Sequence, residues 1–198
     1  MGQHYKGRIS VDPSLWIALS TMLLLIPIGW MIAWITATLV HELFHCLGVW
    51  ICGNRILHVH VGVNGARIQT DESESWKELI SLLAGPFGAL TVLLFSRQFP
   101  HVAICALLQT TYNLLPLTEL DGGQILLRLA AMIASAQKAE TICNIGRVVT
   151  CALVIFVGIY GTLWQRLGLF PLILATVFLL RHGKVKKSCK RGAYAVQW

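Results

Sequence analysis

Charge is what this sequence has least of. Only 13% of its 198 residues are charged and 56% are apolar, with a mean hydropathy of +0.66. No charged side chain occurs between Leu15 and Val40. Soluble globular domains carry about 25% charged residues, so that class is excluded and a multi-pass membrane protein is predicted, with the lipid bilayer as its first partner. Acidic residues are the scarcer sign, 9 against 16 basic, for a net charge of +7. In a soluble chain that excess would suggest nucleic acid. Here the basic residues gather at Lys6 and Arg8 and again at Arg181, Lys184, Lys186, Lys187, Lys190 and Arg191. Basic clusters beside apolar runs mark the cytoplasmic side, so both termini are expected there and no nucleic acid partner is expected. Paired CxxC motifs are also missing. Cys46, Cys52, Cys105, Cys143, Cys151 and Cys189 lie mostly in apolar runs and read as free packing thiols, with no disulfide framework. No small-residue cleavage site follows the first apolar run, which argues against a removable signal peptide, and no internal repeat is visible.

Against this background His41-Glu42-Leu43-Phe44-His45 stands out. On a helix, residues four apart share a face, so His41 and His45 can bind one metal ion while Glu42 reaches its water. Ionisable groups at bilayer depth cost roughly 2.5–3.5 kcal/mol each and are retained mainly for function. The plain alternative is a helix end that emerges into water with a polar cluster.

Leu15 to Trp50 would make a helix about 54 Å long, too much for one crossing of a hydrocarbon core of about 30 Å. Pro27 and Gly29 mark the expected break, giving spans near Leu15–Ile28 and Gly29–Trp50; one tilted helix with an interfacial segment is the alternative. Ile56–Val63, then Asn64-Gly65, then Ala66–Gln69 predicts a β-hairpin. His58 and His60 share one face of the first strand, as metal ligands or as interfacial polar groups. That strand is expected to offer an edge to an extended substrate. Asp71, Glu72 and Glu74 read as a solvated linker. Trp76–Phe95 is the third span, and its Ala84-Gly85-Pro86 stretch allows close helix approach. The fourth starts near His101 and runs into Asn113–Gly123, where Pro116, Gly122 and Gly123 should break the helix. Gln124–Ile133 continues as helix, Ser135–Arg147 reads as a polar connection, and Val148–Leu180 holds two further spans that turn at Gln165-Arg166.

The expected fold is therefore all-α and polytopic, with about six transmembrane helices and a small β-hairpin between the second and third. With both ends inside, Arg55, Arg67, Lys77, Arg128, Lys138 and Arg147 fall on the cytoplasmic side and Arg97 and Arg166 outside. His45 then lies about 8 Å of helix from the cytoplasmic end of its span, and the fourth span delivers Asp121 toward the same level. A catalytic zinc takes three protein ligands and keeps one open position, a count that His41, His45 and Asp121 satisfy with one ion. Glu42 is placed as proton acceptor and donor, and Asn113 as a hydrogen-bond donor to the substrate or its developing oxyanion. Glu119 reads as an interfacial acid, with competing ligand as the alternative.

With HELFH at 41–45 and Asn113-x-x-Pro116-x-x-x-x-Asp121-Gly122, the chain resembles the site-2 protease family of intramembrane zinc metalloproteases. The likeness covers roughly residues 15–135, including the hairpin and the Ala84-Gly85-Pro86 stretch. It implies one membrane-embedded domain (core 15–135, extra helices 147–181, basic tail 182–198) that cleaves membrane-tethered protein substrates. In that reading His41, His45 and Asp121 hold zinc, Glu42 is the acid/base and Asn113 faces the substrate. No loop is long enough for a PDZ domain, and no CBS domain is expected after Arg181. That compact plan looks most like the bacterial sporulation-type members that process a precursor sigma factor in the cell membrane, although those commonly carry a C-terminal regulatory domain. A regulatory membrane protein is a further candidate partner. Two other classes compete: a non-catalytic membrane scaffold, disfavoured by the complete ligand set with Glu42, and a metal transporter, disfavoured by the lack of repeats.

Overall fold

The computed structural model describes residues 8–62, 65–70, 75–163 and 169–182. Lys6, the turn residue Asn64, the acidic linker at Asp71, Glu72 and Glu74, the Gln165-Arg166 turn and the basic tail beyond His182 lie outside the described residues. In chain order the elements are β1 (Arg8–Val11), α1 (Pro13–Leu25), α2 (Ile28–Ile51), β2 (Ile56–Gly62), β3 (Gly65–Thr70), α3 (Ser75–Leu94), α4 (Pro100–Asn113), α5 (Asp121–Ile133), α6 (Ala136–Leu163) and α7 (Phe170–His182). They group into two compact units, one ending at Leu114 and one starting at Leu115. Among the described residues three helices are long and apolar enough to cross a membrane: α2, Trp76–Leu94 within α3, and α6.

In the first unit the apolar run breaks where Pro27 predicts. Helix α1 stops at Leu25, Ile26 is extended, and α2 begins directly after the proline. Asp12 caps α1 by accepting from the Ser14 backbone N–H at 2.8 Å, which also holds its carboxyl below the usual range. Helix α2 has two contrasting faces. Ala33, Ala37, His41 and His45 recur every four residues and are buried, while Leu39, Leu43 and Leu47 are exposed. This inversion suits lipid, where leucine gains nothing by hiding and small residues let helices approach closely. Ala33 and Ala37 meet Ala89 of α3 and Cys105 and Ala106 of α4 in one core cluster. Gly48 has no room for a Cβ, which would lie 2.9 Å from the Ala84 Cβ and the Ser81 Cα.

The hairpin forms as predicted from β2 and β3, but it is part of a three-stranded sheet. Strand β1 pairs in parallel with β2, Ser10 opposite His60 and Val11 opposite Val61, while β3 pairs antiparallel on the other side. The expectation that β2 offers an edge is therefore wrong, since both its sides are occupied. The two histidines of β2 turn to β1: the Ser10 hydroxyl lies 3.2 Å from His58 Nε2 and 2.8 Å from His60 Nδ1. No cluster of potential metal ligands among the described residues includes them.

In the second unit, residues 115–120 are irregular before α5 starts at Asp121, as Pro116 and the glycines predict. Helix α6 starts at Ala136, so the stretch expected as a polar connection is helical instead. The reason is local: Ala, Gln, Lys and Glu are good helix formers, and Ala139, Cys143, Arg147 and Thr150 give this polar segment a buried face continuous with the apolar part. Arg147, expected in a cytoplasmic loop, is buried on α6 and donates to Asn144 Oδ1 at 3.0 Å.

Candidate metal centre

The histidines owe their position to the four-residue spacing on α2. His41 is 2% and His45 7% exposed, and their rings meet edge to face with centroids 4.7 Å apart. The two Nε2 atoms are 3.1 Å apart. Each ring is oriented by a different helix. His45 Nδ1 lies 2.8 Å from the Ser81 carbonyl oxygen on α3. A carbonyl only accepts, so Nδ1 carries the proton and Nε2 the lone pair. His41 Nε2 is 3.1 Å from Asn113 Nδ2 at the end of α4, an amide donor that again requires a lone pair on the ring nitrogen. In neutral rings two lone pairs thus face each other, an arrangement that a cation between them would stabilise. Two imidazole nitrogens bound at about 2.0–2.1 Å to one tetrahedral ion would stand about 3.3 Å apart, close to the spacing found. The pair fits a metal.

Close packing on α3 holds this geometry. A Cβ at Gly85 would run into the His45 imidazole, and one at Gly88 into the Phe44 ring. Pro86 removes a helical N–H one turn from the carbonyl that His45 uses, loosening the backbone there. The Ala84-Gly85-Pro86 stretch therefore serves the site by packing. Gly85→Ala is expected to cost roughly 1–3 kcal/mol of stability and to lower metal loading, because the ring can yield only by giving up Ser81. Thermal unfolding and metal content of the purified variant check this; wild-type values for both would mean that Gly85 does not seat His45.

Glu42, half-buried, follows His41 on α2. In the second unit Asp121 is the first residue of α5, half-buried, where the positive end of the helix dipole favours a carboxylate. Its placement depends on Gly123, whose missing Cβ leaves room for the Leu117 carbonyl, and on Gln124 Nε2 donating to the Thr118 carbonyl. Glu119 is exposed. Sequence reasoning singled out Asn113 and, as part of a close-approach stretch, Gly85, but missed Ser81, whose only signal is the recurrence of small residues at 81, 85, 88 and 89 on one face of α3. It also missed a second polar pair one turn away, where the Thr38 hydroxyl lies 3.4 Å from Gln109 Oε1.

No protein-family model and no curated protein matches the sequence. Among solved structures, the Site-2 Protease from Methanocaldococcus jannaschii is similar over 98% of this chain and 98% of its own, with a TM-score of 0.57 and 18% sequence identity. At that identity the likeness is one of fold, and the chain has the fold of that protease.

Proposed function

We propose that this chain is an intramembrane zinc metalloprotease that hydrolyses a peptide bond in or near the membrane segment of a membrane-tethered protein. The observation that carries the reading is the pair of facing His41 and His45 Nε2 atoms, 3.1 Å apart on the buried face of an apolar helix long enough to span a bilayer. The shared fold supports it.

In this reading the metal is held by two imidazoles and one carboxylate, from His41, His45 and Asp121. A zinc ion held there would supply an activated water and a Lewis acid for the scissile carbonyl. Glu42 takes the proton and later returns it to the leaving amine. The Asn113 amide, freed from His41 when that lone pair is engaged, donates to the substrate carbonyl oxygen as charge develops there. Ser81 keeps His45 in the tautomer that presents Nε2. A helical substrate must be partly unwound before its peptide bond is accessible. With β2 closed on both sides, β3 is the strand that would receive the extended segment, because it packs next to α2 and has one side with no strand paired to it among the described residues.

The reading includes six crossings, one membrane-embedded domain, both termini cytoplasmic, and a bacterial cell membrane as its location. A precursor sigma factor is a substrate of the right class, and a regulatory membrane protein would gate its access. Single cysteines placed near Lys6, Asp71 and Lys187 are expected to react with an impermeant thiol reagent from the cytoplasmic side, and those near Arg97 and Arg166 from the other. Opposite sides for Lys6 and Lys187 would mean an odd number of crossings.

Zinc content measured alongside cleavage of a membrane-tethered reporter tests the function. About one zinc per chain together with cleavage supports it. Metal transport without cleavage, or neither activity, would favour the transporter or the scaffold.

A further inference from the structure

Hydroxyls on these helices follow a rule that Thr110 breaks. Thr36, Thr38, Thr111 and Thr150 each donate to the backbone carbonyl four residues earlier, at 2.8–2.9 Å. Helical threonines commonly satisfy their hydroxyls this way. Thr110 Oγ1 is buried and has no hydrogen-bond partner among the described residues, in a side chain only 8% exposed. Buried polar atoms in native structures are almost always matched, so an exception calls for a cause.

Its position supplies one. Helices α2 and α4 run in step within the first unit. Ala37 and Ala106 share the core cluster, Thr38 meets Gln109, and His41 meets Asn113. Thr110 follows Gln109 and stands one turn before Asn113, which puts it at the level of the His41 imidazole. His41 directs Nε2 toward His45 and Asn113. In the neutral ring the proton is then on Nδ1, which is buried. A ligating histidine is normally fixed by an acceptor for that second N–H, and a hydroxyl has two lone pairs to offer.

We infer that Thr110 is a positioning residue for His41: its hydroxyl accepts the Nδ1–H through one bridging water, and so holds Nε2 toward the metal. This rests on the metal-centre reading above. The test uses the purified full chain, Thr110→Val and Thr110→Ser, with zinc affinity measured by chelator competition, the absorption spectrum with cobalt(II), and thermal stability of the zinc-free protein. Thr110→Val is expected to bind zinc about 10–100-fold more weakly and to shift the cobalt spectrum. Its zinc-free form should stay folded and unfold within about 2–4 °C of the wild type, since the isosteric methyl keeps the packing and removes a single hydrogen-bond acceptor. Thr110→Ser should restore wild-type affinity. Unchanged zinc affinity in Thr110→Val, or a Thr110→Ser variant as weak as Thr110→Val, overturns the role of Thr110 while the metal centre stands. A wild-type chain that takes up no zinc overturns both.

Discussion

Glu42→Gln is expected to abolish peptide cleavage while leaving zinc in place. The substitution keeps the size and shape of a half-buried side chain on α2 and removes only its ability to accept a proton. Positioned acid–base groups contribute about 100- to 10,000-fold to rate, and here a single carboxylate serves both proton transfers, so the loss should fall in the upper part of that range. His41 and His45 are oriented by Asn113 and Ser81, and both groups are kept in the variant. Metal content should therefore match the wild type. Substantial cleavage by this variant would remove Glu42 from the mechanism.

Asp121→Ala is expected to lose both metal and activity. Two imidazoles alone make a poor zinc site, and in the proposed centre the Asp121 carboxylate would be the ligand that offsets part of the ion's charge. The fall in zinc affinity should exceed the roughly 10–100-fold that loss of an outer-shell partner causes. Chelator competition measures it. Asp121→Asn separates charge from shape, because it keeps an oxygen donor and should bind between the wild type and the alanine variant. Unchanged zinc content and rate in Asp121→Ala would mean that Asp121 is not a ligand.

Local patterns made much of this protein legible. The spacing of His41 and His45 put both on one face of α2, Pro27 marked its start, and Pro116 with Gly122 and Gly123 the irregular stretch before α5. The features that escaped have non-local or backbone origins. Strand β1 pairs with a strand some 50 residues away in sequence, and the polar–apolar alternation of its four residues is too short to announce a strand by itself. The start of α6 was hidden because hydropathy reports lipid contact rather than helix, and its first turns are polar on one side. Ser81 contributes a backbone carbonyl, which no side-chain motif can signal. Gly85 was legible as a site of close helix approach but not as the seat of the His45 ring, and Thr110 matters through what it does not bond, which becomes visible only once α2 and α4 are packed.

Reconstitution of the purified chain into lipid vesicles with a membrane-tethered reporter tests the central claim most directly, by following cleavage as metal is stripped and returned. The account predicts that a strong chelator stops cleavage, that zinc restores it as occupancy approaches about one ion per chain, and that Glu42→Gln takes up the same zinc without recovering activity. Cleavage that persists in the metal-free protein would contradict it, as would a chain that binds one zinc through these residues and still leaves the reporter intact.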